Sequence, residues 1–309
     1  MRVAVFGATG VVGSAVVEAL RRDPDKRVDA IIGLARSLPP NPQPHVDWRR
    51  ADLGHDDVAP HLRGVDAVID VAWERGGGNV ERIDRLLAVA AEAGVRHVVR
   101  ASSFVAYSPV DAGHDPVDEA WPTEGLAKVR LAQEMAGLER LLHGFASEHE
   151  IVRLVWIRSG VVLGPGARSQ FAARFGALGE HLRAPRRLPL LPGVAHASLP
   201  AVHHDDLAAA FRSAVTGSGV GPYNVALDAP LDLAALSSAF GARPVAIPEN
   251  LLQRGKELAE RVLGERSPGE WLDLAAGAPT LDSTRARKEL GWEPVHSLDD
   301  AVRATLRGS

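Results

Sequence analysis

The residues whose types and spacing carry the clearest chemistry lie near the amino end: Gly7-Ala8-Thr9-Gly10-Val11-Val12-Gly13. The apolar run Val3–Phe6 before them reads as a buried strand, and Val11–Arg22 after them as an amphipathic helix. Three glycines therefore occupy a strand-to-helix turn. Glycine permits a tight turn and close backbone approach, and the first N–H groups of the helix are left to meet an anion at the positive end of the helix dipole. A pyrophosphate suits that geometry, and in this context the pattern is a dinucleotide fingerprint. Gly7, Thr9, Gly10, Val11, Val12 and Gly13 are expected to form the site.

The second apolar run, Val28–Leu34, leads into Ala35-Arg36. NAD is normally selected by an acidic residue at the end of this strand, which accepts hydrogen bonds from the adenosine ribose. No carboxylate stands there. Arg36 instead offers a fork-shaped cation to a 2′-phosphate, so NADP(H) is the preferred cofactor and NAD(H) the alternative. Asp52 and Leu53, after the third strand, are placed to touch the adenine, and Ala72 and Trp73, after the fourth, to pass beside the cofactor ribose.

The elements that must position these residues follow from hydrophobic periodicity. Val3–Phe6, Val28–Leu34, Ala67–Val71 and His97–Ala101 alternate with helix-length segments at Val11–Arg22, near Asp56–Leu62, at Asn79–Ala93 and from about Thr123 to Glu148. This is the pattern of an α/β protein with a Rossmann-type, doubly wound parallel sheet. Ile151–Ile157 supplies a sixth strand. Pro39, Pro40, Pro42 and Pro44 rule out a helix directly after the second strand. After Gly164 the chain is broken by Pro165, Pro185, Pro189, Pro192 and Pro200, and a smaller, mostly helical substrate subdomain is expected there. Asp205–Val215 reads as a helix returning to the sheet and Pro222–Ala226 as a strand. The dinucleotide domain is thus assigned to residues 1–163 and 200–228, and the substrate subdomain to 164–199 and 229–309.

Composition narrows the partners. With 309 residues, 46% of them hydrophobic and 24% charged, the chain can bury a large core. A net charge of −4 leaves no basic surplus for tracking nucleic-acid phosphates, and none is expected as a partner. The lack of cysteine excludes disulfides, a thiolate nucleophile and cysteine-ligated zinc. No leader precedes the first strand and no run approaches the roughly 18 apolar residues of a membrane span, so a cytoplasmic, membrane-free setting is expected. Basic residues are overwhelmingly Arg, with Lys only at 26, 128, 256 and 288, a bias of GC-rich bacterial genomes. No G-x-S-x-G elbow supports hydrolysis. His203-His204-Asp205-Asp206 resembles a metal cluster, but adjacent strand histidines point to opposite faces and Asp205 fits a helix N-cap, so no metal is expected.

Taken together, the motifs resemble the extended short-chain dehydrogenase/reductases, the family of nucleotide-sugar epimerases, dehydratases and related reductases. The likeness runs through Gly7–Gly13, Ser102-Ser103 to Tyr107, Asp118-Glu119 with Trp121-Pro122, Arg158-Ser159-Gly160 and Gly164-Pro165-Gly166. It continues through His203 with Asp205–Ala208, Tyr223-Asn224-Val225 and Leu290–Pro294. Family members carry Tyr-x-x-x-Lys on the active-site helix, where Tyr moves a proton and Lys lowers its pKa and holds the ribose. Alignment through Gly137–Leu142 places Leu131 on the tyrosine position and Met135 on the lysine position. The chain's two tyrosines, Tyr107 and Tyr223, are followed four residues later by Asp111 and Leu227, so the dyad is absent.

That absence weighs against epimerisation and dehydration, which first oxidise an alcohol and need a base where Leu131 stands. Reduction tolerates it better, because a carbonyl held against a bound nicotinamide can accept hydride on positioning alone. An apolar patch of Leu131, Met135 and Trp73 suits a flat aromatic substrate, whose own phenol can stabilise the developing alkoxide. Ser103 aligns with the family's carbonyl-binding serine, and Tyr107 is expected in the pocket wall. Among members lacking the dyad the chain resembles the angucyclinone ketoreductases of actinomycete antibiotic biosynthesis, which implies an aromatic polyketide ketone as substrate. The alternative is a non-catalytic NADP(H) sensor or scaffold. Lys128 and Glu124 are expected as solvated positions at the start of the long helix.

Overall fold

The computed structural model describes residues 1–74, 76–111, 113–167, 190–193, 197–247 and 269–307. In chain order the main elements are β1 (Arg2–Phe6), α1 (Val11–Arg21), β2 (Ala30–Ala35), β3 (Val46–Arg50), α2 (Ala59–Leu62), β4 (Ala67–Asp70), α3 (Asn79–Glu92), β5 (His97–Ser103), α4 (Arg130–Glu148) and β6 (Arg153–Ser159). Short strands follow at β7 (Val161–Leu163), β8 (Leu190–Gly193), β9 (Ser198–Leu199) and β10 (Ala201–His203), then helix α5 (His204–Thr216) and strand β11 (Gly221–Val225). The remainder holds β12 (Leu231–Asp232), α6 (Leu233–Phe240), β13 (Arg243–Ala246), α7 (Gly269–Gly277), α8 (Thr284–Leu290) and α9 (Leu298–Arg307).

Seven strands pair in the order β11-β6-β5-β4-β1-β2-β3, every neighbour parallel. This is the Rossmann order, carried one strand further at the β6 edge. Residues alternate between faces along each central strand, and both faces are covered. Val3 and Val5 pack with Val16, Val17 and Phe211 of α1 and α5 on one side. Ala4 and Phe6 pack with Leu86, Leu87 and Leu138 of α3 and α4 on the other. The strands and most helices thus fall where the periodicity put them, displaced by one to three residues at their ends. As the prolines dictated, an extended loop without helix joins β2 to β3.

One element starts later than expected. The long helix begins at Arg130 rather than Thr123. Gly125 has φ +67, its N–H donates to Ala106 O, and a Cβ there would sit 2.5 Å from the Ala132 carbonyl oxygen. Residues 123–129 are therefore a turn tucked under the helix, and exposed Lys128 and Glu124 lie on that turn instead of on the helix. Residues 168–189, within the expected substrate subdomain of 164–199 and 229–309, lie outside the described residues. Ala286, Leu290 and Trp292 of the carboxyl-terminal part join the core beside α1 and α5.

Candidate functional site

The sheet order reverses between β1 and β4, and a cleft of about 720 Å³ opens at their carboxyl ends. That is where an open parallel sheet binds its ligand, and the volume lies in the range of small-molecule sites. Gly7, Thr9, Gly10, Val11, Val12 and Gly13 all line it. The glycines are sterically required at two points. Gly7 has φ +78 and a Cβ there would meet the Ala72 backbone at 2.9 Å, while a Cβ at Gly13 would overlap the Gly7 carbonyl. Gly10 caps α1 without a side-chain hydrogen bond, so the first N–H groups of the helix open on the cleft. This cradle fits a pyrophosphate on its residues alone.

On the β2 side, Arg36, Asp52 and Leu53 line the cleft as the sequence placed them. Arg36 is not alone, however. Its Nη1 lies 3.2 and 3.1 Å from the two carboxylate oxygens of Glu74, which arrives from the segment after β4. The carboxylate missing from the end of β2 is thus supplied across the cleft mouth. Its signal lay in strand register, Phe6 opposite both Leu34 and Asp70, which brings the β2 and β4 exits together. Asp52 Oδ1 accepts from Gly54 N at 2.9 Å, and that bond, ahead of His55, holds its carboxyl below the usual range.

Ala72 and Trp73 line the cleft floor. The Ala72 carbonyl accepts from Arg82 Nη2 at 3.0 Å and Arg100 Nη2 at 3.2 Å, two guanidinium groups the sequence reading missed. Burial lowers the Arg100 pKa, opposed by Asp70 at 3.3 Å. Asn79, fully buried, ties the same segment down: its Oδ1 accepts from Glu74 N and its Nδ2 donates to Glu74 O, each at 2.8 Å.

The opposite wall comes from β5, α4 and β6. Leu131 and Met135, one turn apart on α4, face the cleft together, as one face of a helix requires. Ser103 stands at the end of β5 in the same wall, its Oγ accepting from Val105 N at 3.4 Å. Glu134, between the two apolar side chains in sequence, also lines the cleft.

Two neighbours are engaged otherwise. Ser102 also lines the cleft but is buried, and its Oγ donates to Glu139 Oε1 at 2.6 Å, so its hydroxyl is committed to the core. Tyr107 is absent from the cleft lining and sits against Phe104, Leu126 and Leu274 around a smaller cavity. Its hydroxyl donates to Asn224 Oδ1 at 2.7 Å and accepts from Arg158 Nη1 at 2.8 Å, and burial pushes its pKa to about 12. The expected place of Tyr107 in the substrate wall is therefore corrected. Desolvation and two committed bonds make it a buried strut.

Residues 7–169, more than half of the chain, match the family described as NAD(P)H-binding. The chain belongs to that family. In fold this NAD(P)H-binding protein is similar to MoeE5 in complex with UDP-glucuronic acid and NAD, with a TM-score of 0.74 and 19% identity over 99% of this chain and 98% of that one. It is likewise similar to DesIV, the dTDP-glucose 4,6-dehydratase of Streptomyces venezuelae with NAD and TYD bound, at TM-score 0.74 and 22% identity over 99% and 96%. The structure of gox2253 gives 0.75 and 21% over 99% and 96%. At such identities the likeness shows a shared fold alone. No curated protein sequence matches the chain. Among the described residues of this NAD(P)H-binding protein, no helix is long and apolar enough to cross a membrane.

The histidine cluster of the NAD(P)H-binding protein differs from expectation. His203, not Asp205, caps α5, its Nδ1 accepting from Asp205 N at 3.3 Å. His204 opens the helix, so the two rings do not diverge as on a strand but lie 4.6 Å apart, with His296 stacked on His203 at 3.8 Å. Asp206 accepts from Val295 N, His296 N and His296 Nδ1, fastening the carboxyl-terminal segment to α5. His203, Asp206 and His296 bring one ligand atom each within 4.8 Å of the others, and these hydrogen bonds already employ the carboxylate and one nitrogen of each of those two rings.

Proposed function

We propose that this protein is an NADPH-dependent ketoreductase that reduces a carbonyl of a flat aromatic substrate, an angucyclinone-like polyketide, in the manner of the ketoreductase of simocyclinone biosynthesis that its motifs resemble. The observation that carries this reading is the wall of Leu131, Met135 and Ser103 in the NAD(P)H cleft. Bound NADPH supplies a hydride. The chain's part is to hold the dinucleotide on Gly7–Gly13, to exclude water with Leu131, Met135 and Trp73, and to donate one hydrogen bond from Ser103 Oγ to the carbonyl oxygen. The Leu131 side chain can move no proton. General acid catalysis contributes typically 10²–10⁴-fold, and a substrate phenol beside the carbonyl restores part of it by giving its proton to the nascent alkoxide, the phenolate then regaining a proton from water.

The sugar-nucleotide chemistry in the names of the structural neighbours requires oxidation of an alcohol first, and Leu131 offers no base for it. A second reading, a non-catalytic NADP(H) sensor or scaffold, draws support from the commitment of the Ser102 hydroxyl to Glu139 and of the Tyr107 hydroxyl to Asn224, which leaves Ser103 to meet a carbonyl in the cleft. Absorbance at the reduced-nicotinamide band separates the two, using purified protein with NADPH or NADH and a panel of phenolic quinones and aromatic polyketide ketones. Consumption matched by reduced product is expected, and masking the neighbouring phenol should collapse it. Tight NADPH binding without turnover across the panel would favour the sensor.

A further inference from the structure

Glu134 is the one carboxylate on the α4 wall of the cleft among the described residues. It stands next to Met135, where the family's ribose-holding lysine is replaced by a side chain that neither donates nor accepts a strong hydrogen bond. Glu134 is firmly held. Its Oε1 accepts from Asn79 N at 3.0 Å and from Asn79 Nδ2 at 2.9 Å. Asn79 is fully buried and opens α3, whose N-cap Gly78 offers no side chain, so Glu134 from α4 takes the place of a cap. Its other oxygen, Oε2, takes no bond from the described residues and remains for a ligand.

The adenosine end of the cleft is marked by Arg36, Asp52 and Leu53, and the pyrophosphate position by the glycine turn. Across that turn from Arg36, the cleft is walled by Ala72, Ser103, Leu131, Glu134 and Met135, which is where the nicotinamide half must lie. The ribose of that half presents two hydroxyl donors. We infer that Glu134 is a cofactor-positioning residue, with Oε2 accepting a hydrogen bond from a nicotinamide-ribose hydroxyl in place of the lysine lost at Met135. The inference rests on the proposed NADP(H) site and adds the acceptor that fixes the reactive half of the dinucleotide. A carboxylate at this point serves the same end by the opposite polarity: lysine donates to ribose oxygens, and Glu134 accepts from ribose hydroxyls. Arg82 and Arg130, lining the same cleft, place positive charge beside it.

The test is calorimetric titration of the full chain and its Glu134→Gln variant with NADPH and, separately, with 2′,5′-ADP, which carries the adenosine half alone. Glutamine keeps an acceptor for Asn79 but replaces the free oxygen with a donor. The variant should bind NADPH about tenfold more weakly, the scale of a charge-assisted bond, and 2′,5′-ADP as tightly as the parent. Unchanged NADPH affinity would overturn the inference, and so would equal losses for both ligands, since that marks a general disturbance of the α3–α4 contact. Should Glu134→Gln fail to fold, Glu134→Asp, which retracts the carboxylate, is read by the same split. Parent protein that binds neither ligand would overturn the NADP(H) reading itself, a result distinct from a parent that binds both and a variant that does the same.

Discussion

At the residue scale, the proposed preference for NADP(H) rests on Arg36 and its partner Glu74. The Arg36–Glu74 pair is 61% and 45% exposed, and ion pairs of that kind contribute about 0–1 kcal/mol. A guanidinium–phosphate fork is roughly twice as strong as a neutral bond, so a 2′-phosphate can displace Glu74 at little cost. Arg36→Ala should therefore weaken NADPH binding about tenfold or more while changing NADH binding little, and Glu74→Gln should tighten NADPH by freeing the fork. Equal effects on both dinucleotides, measured by fluorescence titration, would refute the assignment. Arg36 was legible because it follows the second strand directly, as were the glycines, Asp52 and Ala72. Glu74 was not. Its role depends on where the β4 exit lies against the β2 exit, a fact of sheet register that no local pattern announces.

At the element scale, α4 carries two functions along its length. Leu131, Glu134 and Met135 look into the cleft, while Glu139, fully buried, accepts from Ser102 Oγ, Trp156 Nε1 at 2.8 Å, and Arg158 Nε and Nη2 at 3.2 and 2.8 Å. Burial alone would lower the Arg158 pKa, but the hydrogen bonds and charge of Glu139 outweigh it and raise it. Removing one member leaves the other charge uncompensated in the core, which costs about 3–5 kcal/mol. Glu139→Ala should thus lower Tm by several degrees or more yet leave NADPH affinity in the surviving folded fraction near that of the parent, since Glu139 does not line the cleft. A variant that melts normally would show the network to be dispensable. The apolar periodicity of α4 was readable, but its start was not, because Gly125 closes against Ala132 through a tertiary contact. Tyr107 escaped for a similar reason: its partners Asn224 and Arg158 lie 117 and 51 residues away.

At the scale of the whole molecule, the histidines set the response to acid. Burial, reinforced by the Arg153 charge, drives the His97 pKa to about 3, and burial followed by the neighbouring histidines drives His203 to about 4, with His204 and His143 also lowered chiefly by burial. In the unfolded chain each would titrate near 6.5, so below that pH the unfolded state binds protons that the folded state refuses. Stability is therefore full above pH 6.5 and falls as pH drops toward 4, by at most about 1.4 kcal/mol per pH unit for each of the buried His97 and His203, while solvent screens the exposed His143. Glu119, raised above 4.5 by burial, works in the opposite direction, while lowered Asp52 and Asp282 add to the loss only in the carboxylate range. His97 is the cleanest place to test the sign, since it is buried at the start of β5 beside Arg153 of β6 and does not line the cleft. His97→Gln, which keeps an acceptor for Arg153, should flatten the decline of Tm between pH 6.5 and 4.5 by about one proton's slope. If the parent were equally stable at both ends of that range, the buried histidines would have to charge freely in the fold, against everything their packing implies.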